Sequence, residues 1–240
     1  MRRAIAIIQA RLGSTRLPGK VLLDLAGEPM LARVVHRVRR ARRVAEVVIA
    51  TTTEPRDDAL ERLCTERRWL CFRGSETDVL DRYYQAALAH HAEVVVRITS
   101  DCPFIDPAVI DSALAGLDLQ QSAYASNTLR RTYPRGLDVE ACTFAALETA
   151  HREDRNPAWR EHVTQFIVRH PERFGLTNLA HDTDHSALRW TVDTPEDFAF
   201  AEKVYAHFRR DDFAWEEVLP VLAAHPEWSE INRAVVQKTV

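Results

Sequence analysis

Short apolar runs alternate with longer stretches of mixed polarity through the first half of the chain. Ala4–Ile8 is uniformly apolar, as in a strand covered on both faces. A polar loop follows, and the spacing then predicts a helix over about Pro29–Arg42, a strand at Val47–Thr51 and a helix at Asp57–Arg68. Trp69–Phe72 reads as a short strand, Asp78–His91 as a helix and Glu93–Thr99 as another buried strand. Asp106 followed by Pro107 is a helix start, and the helix should run to about Leu117. This order of strand and helix predicts an α/β fold: a mainly parallel central sheet with helices on both faces. Ligands in such folds sit beyond the carboxyl ends of the strands, so the loops after Ile8, Thr51 and Thr99 are where a site is expected.

The pattern changes after Leu117. Ala123–Asn127 and Leu137–Ala141 read as strands around an arginine- and proline-containing loop, followed by helices at Phe144–Ala150 and Trp159–His170. Leu188–Val192 is expected to be a strand, a helix opens at Thr194-Pro195-Glu196, and the tail from about Trp215 looks helical. With no repeat and no long linker, the expectation is a single domain over residues 1–240, with 120–145 a strand-rich insertion or arm.

Composition narrows this reading. A hydrophobic content of 46% and a charged content of 28% exclude collagen-like and disordered chains. A net charge of -3 argues against a nucleic-acid or membrane surface. The arginine run Arg33–Arg43 fits that view, because Leu31, Val34, Val35 and Val38 form a helical apolar stripe. Arg33, Arg37 and Arg40 then line another side, expected to be a solvated face. Cys64, Cys71, Cys102 and Cys142 lack C-x-x-C spacing and read as reduced, mostly buried thiols, which fits a cytoplasmic protein. The first apolar run is too short for a signal peptide, and no stretch of 18 apolar residues occurs.

Two scarce residue types converge on one place. Of seven glycines and three lysines, Gly13, Gly19, Lys20 and Gly27 fall within fifteen residues. The loop Gln9–Lys20 combines two glycines, two hydroxyls, two arginines and a lysine, a set that can cradle phosphate through backbone N–H groups and cations. It is not a Walker A loop, since five residues separate Gly13 from Gly19 and Val21 stands at the magnesium-binding hydroxyl position. A charged surface turn would have the same composition.

The residues Gln9–Leu22 resemble the signature of nucleotide-sugar cytidylyltransferases, the group that includes CMP-ketodeoxyoctonate and CMP-sialic acid synthetases. The pattern is most similar to the spore-coat polysaccharide biosynthesis (SpsF-type) branch. Gly27–Met30, Gly74–Arg82, Arg97–Pro107, Pro134–Glu140, Arg160–Val163 and Arg189–Asp197 continue the likeness in order. It implies a nucleotide-diphospho-sugar transferase (GT-A-like) fold and Mg²⁺-dependent transfer of CMP from CTP to a sugar, sugar acid or related acceptor. It also implies a homodimer through the 120–145 arm. Arg11, Arg16 and Lys20 would hold the triphosphate and stabilise departing pyrophosphate. Ala10, Leu12, Gly13, Ser14, Arg73, Gly74, Thr77 and Ser100 would contact the nucleotide, and Asp101 and Asp193 would hold Mg²⁺. The segment Ser100-Asp101-Cys102-Pro103 departs from the Gly-Asp-Glu-Pro of ketodeoxyoctonate enzymes, so that sugar is not implied.

Several of these residues have plainer explanations. Asp193 precedes a cap-like helix start and could serve that helix's dipole. Asp78 is expected to be an N-cap, and solvent exposure suffices for Asp81 and Arg82. Strand alternation puts Asp138 and Glu140 on one face, where they could bind substrate hydroxyls or simply face water. His162 could contact substrate or be a packed histidine, and no histidine is assigned to a metal. Two other functions stay open: a glycosyltransferase using a nucleotide sugar, and a non-catalytic nucleotide-binding protein. The Arg11, Arg16 and Lys20 set favours a triphosphate over the former.

Overall fold

The computed structural model describes residues 2–237; Met1 and residues 238–240 lie outside it. Among the described residues the chain forms strands β1 (Ala4–Gln9), β2 (Glu46–Thr52), β3 (Leu70–Gly74), β4 (Val94–Thr99), β5 (Tyr124–Ser126), β6 (Glu140–Thr143) and β7 (Leu176–Asn178). Helices α1 (Met30–Val38), α2 (Asp58–Arg67), α3 (Val79–Ala89) and α4 (Pro107–Leu119) accompany the first four strands. Helices α5 (Phe144–Glu153), α6 (Pro157–Glu161), α7 (Gln165–Val168), α8 (Pro171–Phe174), α9 (Pro195–Phe208), α10 (Trp215–Ala224) and α11 (Pro226–Glu230) follow.

All seven strands join one sheet in the order β3-β2-β1-β4-β6-β5-β7. The β1–β2, β1–β4, β2–β3 and β5–β7 pairs are parallel, while β6 runs antiparallel to both β4 and β5. That reversal places the start of β6 beside the end of β4, with Arg97 opposite Glu140. The sheet is covered on both sides, as uniformly apolar strands require. Ala4, Ala6 and Ile8 of β1 face a core shared with α1 and α4, whereas Ile5 and Ile7 face one shared with α3. Each fully buried large aliphatic side chain stabilises the fold by roughly 1.5–3 kcal/mol. Asp78 caps α3 through the Asp81 N–H, Asp106 caps α4, and Thr194 with Asp197 forms a capping box on α9, as the sequence predicts. All four cysteines are free, and Cys64, Cys102 and Cys142 are buried.

The second half departs more from expectation. Residues 120–145 place β5 and β6 inside the central sheet, so these strands are not an arm outside it. The strand expected at Leu137–Ala141 starts later, at Glu140. The expected helix Trp159–His170 is split into α6 and α7, with Val163 at φ 59° between them. Leu188–Val192 is extended but forms only an isolated bridge, Arg135 with Arg189. β7 carried too short an apolar signal to be read.

The arginine face of α1 is also corrected. Of Arg33, Arg37 and Arg40, only Arg40 is exposed; Arg33 and Arg37 are buried. Arg37 donates to the Ile105 and Asp211 carbonyls at 2.7 and 2.6 Å and lies 4.4 Å from the Phe213 ring. Arg33 donates to the Leu25 and Ala26 carbonyls and pairs with Asp211. A guanidinium with five donors can be buried where carbonyls and one carboxylate surround it, which periodicity cannot show.

Candidate active site

The loop after β1 is built on three devices, two of which reach to β2 and the turn after it. Ala10 N still bonds to the Ala50 carbonyl at 3.1 Å, which prolongs the strand by one residue. Asp57, fully buried, then accepts from Leu12 N at 2.7 Å and from the Thr52 hydroxyl. The Leu12 carbonyl receives Ser14 N and Gly19 N, closing the loop. Gly19 adopts φ 68°, a left-handed conformation that favours glycine, and delivers the chain into a 3-10 turn at Lys20–Leu22. Gly13 sits against Arg56; a β-carbon there would lie 3.2 Å from its Cζ.

The turn directs Lys20 inward, where it is 7% exposed. Its Nζ donates to Asp101 Oδ2 at 3.1 Å, Asp193 Oδ1 at 3.0 Å and the Val192 carbonyl at 2.7 Å. Backbone contacts explain why the two carboxylates meet. Val192 N donates to the Asp101 carbonyl at 2.8 Å, clipping the extended segment before α9 to the loop after β4. Arg16 and Arg189 reach Asp193 Oδ2 at 3.0 and 3.1 Å. Arg189 also grips buried Asp197 with two 2.8 Å bonds, and Asp197 accepts from Asp193 N and Asn232. Burial alone would lower the Lys20 pKa, but Asp101 and Asp193 outweigh it and raise it. Burial likewise opposes the charge on Asp101, yet Lys20 holds its carboxyl below the usual range.

Three cations (Arg16, Lys20, Arg189) thus balance three carboxylates (Asp101, Asp193, Asp197). The donor set fits Mg²⁺: two hard carboxylates converge on one point, where the Lys20 ammonium now lies. Among the described residues no set of three or more His, Cys, Asp or Glu could hold a metal. Phosphate oxygens and water would have to complete the shell, as Mg²⁺ prefers.

Beside this cluster a pocket of about 120 Å³ opens between the ends of β1 and β4, lined by Ala10, Arg11, Arg82, Ser100 and His162 among others. Burial and the nearby Arg97 charge lower the His162 pKa, favouring the neutral ring. Asp138 and Glu140 point away from the core that holds Leu137 and Val139, as alternation predicts, but both are already neutralised. Arg131 grips Asp138 at 2.5 and 2.7 Å, while Glu140 pairs with Arg97 and accepts from the Tyr124 and Thr164 hydroxyls. Arg73 is engaged by Asp58 and Glu61 of α2, each at 2.7 Å. Thr77 is exposed. Gly74 has a packing role, since a β-carbon there would lie 3.0 Å from Arg82 Cγ.

Sequence reading missed three contributors. Arg82, expected at the surface, is 2% exposed and lines the pocket. Arg189 and Asp197 were visible only as ends of the Arg189–Asp197 segment, and their pairing depends on the turn into α9. The stretch His181–His185 contains both H-x-x-x-H and Asp-x-Asp spacings. There the histidine rings pack on Trp215, and Asp184 bonds to Ser186 N at 2.8 Å.

Comparison with known proteins agrees with this geometry. A family profile described as cytidylyltransferase matches residues 5–222. An uncharacterized protein of Methanocaldococcus jannaschii is 34% identical, covering 99% of this chain and 97% of that protein. Spore coat polysaccharide biosynthesis protein SpsF of Bacillus subtilis is also 34% identical, covering 95% and 97%. The solved structure of a cytidylyltransferase from Leptospira borgpetersenii superposes with a TM-score of 0.91 at 30% identity, over 100% of both chains. With the loop, the sheet and the paired carboxylates in place, the chain belongs to the cytidylyltransferase family and is a nucleotidyltransferase.

Proposed function

We propose that the chain transfers CMP from CTP to a sugar, sugar acid or related small acceptor, with Mg²⁺ and with release of pyrophosphate. The observation that carries this reading is the convergence of Lys20, Asp101 and Asp193, from three distant segments, beside the loop after β1. An acceptor oxygen attacks the α-phosphorus of CTP, the new O–P bond forms, and the bond to the β-phosphate oxygen breaks in line. Bound Mg²⁺ supplies charge neutralisation on the phosphate oxygens. Lys20 and Arg16 exchange their carboxylate partners for phosphate oxygens, and Arg11 reaches the same anion from the pocket wall. Such catalysis consists mostly of positioning and charge stabilisation. Ala10, Leu12, Gly13, Ser14 and Ser100 border the nucleotide, while His162, a neutral hydrogen-bonding ring, faces the acceptor.

The likeness to SpsF supports a role in surface polysaccharide biosynthesis, and the proposal places the protein in the cytoplasm as a homodimer. No helix among the described residues is long and apolar enough to cross a membrane. The test is incubation with each NTP, Mg²⁺ and a panel of sugar acids, sugars and phosphonates, measuring pyrophosphate. Release is expected with CTP. Turnover of CDP- or UDP-sugars without any CTP-dependent release would sink the proposal in favour of a glycosyltransferase. Light scattering at low protein concentration tests the dimer.

A further inference from the structure

The extended stretch Leu188–Val192 spends its backbone groups on one side. The Leu188 carbonyl and Trp190 N bond to Arg135, and Val192 N bonds to the Asp101 carbonyl. Alternation turns the Arg189 carbonyl to the opposite edge, where no strand pairs with it among the described residues. Asn232 fills that place. It is buried, and its Nδ2 donates to the Arg189 carbonyl at 3.0 Å and to Asp197 Oδ1 at 2.9 Å. Both partners are acceptors only, which fixes the orientation of the amide.

Farther along, Gln237 Oε1 accepts from Arg189 Nη1. The segment after α11 (residues 231–237), anchored on the core by Trp228 and Ile231, therefore grips Arg189 and Asp197 together. A cavity of about 310 Å³ remains between this segment and Arg135, Trp190 and Phe200, so polar contacts rather than close packing set its register. What Arg189 and Asp197 hold in turn is Asp193. Arg189 Nη2 reaches Asp193 Oδ2 at 3.1 Å, and Asp193 N donates to Asp197 Oδ2 at 3.0 Å. The other partners of the Asp193 carboxylate, Lys20 and Arg16, are the cations that the proposed function moves onto phosphate. Once they leave, Arg189 and Asp197 are the frame that keeps this carboxylate in place.

We propose that the segment after α11, chiefly through Asn232 and secondarily through Gln237, positions Asp193 for the metal. Asn232 is a positioning residue that acts through Arg189 and Asp197. This rests on reading Asp193 as a metal ligand in CMP transfer. The test uses the full-length protein with Asn232→Leu, which keeps the size and removes both donors, and with Gln237→Leu. Protein-bound Mn²⁺ is titrated by electron paramagnetic resonance with CTP, with each other NTP and with none. Calorimetry gives metal-free CTP affinity, and the Mg²⁺ dependence of pyrophosphate release and thermal melting are measured alongside.

Asn232→Leu is expected to weaken Mn²⁺ binding beside CTP by at least about 10-fold, and to raise the Mg²⁺ concentration for half-maximal release equally. Metal-free CTP affinity should match the wild type. A purely structural role would lower the melting temperature and leave metal affinity alone, so a folded Asn232→Leu protein with wild-type Mn²⁺ affinity overturns the proposal. Loss of metal-free CTP affinity in step with metal affinity also overturns it. If Asn232→Leu does not fold, Gln237→Leu decides: a weakening of about threefold supports the proposal, and none overturns it. Wild type that binds Mn²⁺ beside another NTP but not beside CTP ends the CMP-transfer reading; the same weakening in Asn232→Leu then leaves the positioning role standing. Wild type that binds Mn²⁺ under none of these conditions overturns both.

Discussion

Two charged clusters flank the end of β4 and solve opposite problems. Arg97 and Glu140 face each other across the β4–β6 ladder, with side chains 13% and 12% exposed, and the Tyr124 and Thr164 hydroxyls fill the remaining Glu140 positions. Lys20, Asp101 and Asp193 come from three loops; Asp101 and Arg16 retain 27% and 28% side-chain exposure. The first cluster is closed, and its partners have no alternative. The second, counted with Arg16, Arg189 and Asp197, is neutral as it stands yet more open, and the proposed function has its cations trade carboxylates for phosphate. Charge pairing alone therefore does not mark a functional site; access for a competing ion does.

Removing one member from each cluster should separate the two roles. Lys20→Ala is expected to lower turnover by about 1,000-fold, about 4 kcal/mol of transition-state stabilisation. Its circular dichroism spectrum should match the wild type; unchanged turnover would take Lys20 out of the chemistry. Glu140→Ala leaves Arg97 buried and unpaired, and should cost roughly 3–5 kcal/mol in denaturant unfolding. An Arg97→Met, Glu140→Leu double variant should recover most of that loss, whereas a Glu140→Ala melt equal to wild type would show the pair to be dispensable.

Gly136→Ala probes the backbone that joins the clusters. Gly136 has φ 102°, and a β-carbon there would lie 2.6 Å from Thr191 N, two residues before Asp193. A loss of about 2–3 kcal/mol is expected from positive φ plus the clash, together with reduced turnover. Full activity at wild-type stability would mean that the Thr191 segment yields without moving Asp193.

The smallest effects are titrations. Asp101 is depressed, so its contribution to stability is complete above about pH 3.9 and is lost as pH falls through its lower folded value. Lys20 is raised, so its contribution is complete below about pH 10.4 and is lost as pH rises through its higher folded value. Asp101 and Lys20 should therefore both keep their charges between roughly pH 5 and 9. His162 is lowered by burial and Arg97, so its contribution is complete above about pH 6.5 and fades as pH falls through its folded value. NMR titration of His162 should give a midpoint below 6.5; a midpoint at or above it would place the ring outside the field of Arg97.

Legibility followed locality. The first four strands with their helices and the Asp78, Asp106 and Thr194 caps depend on neighbours within a few residues, and pattern suffices there; the composition of the Lys20 loop is equally local, although Ala50 and Asp57 hold it from a distance. The short β7, the split at Val163 and the strandless Leu188–Val192 are set by what they pack against, which no local period records. The buried arginines were misread for the same reason. Arg33, Arg37 and Arg82 occupy polar positions of helices whose outer sides are covered by distant chain, and carbonyls satisfy part of each guanidinium.

The sequence by itself determined that this chain would form an α/β sheet and that its scarce glycines and Lys20 would gather in the loop after β1, because hydrophobic period and loop composition are short-range. Tertiary structure alone decided that β6 would run backwards, bringing Glu140 to Arg97, and that Val192 would clip onto Asp101, bringing Asp193 to Lys20. Those contacts span from 43 to 173 positions, and their partners are selected by packing and charge balance across the sheet.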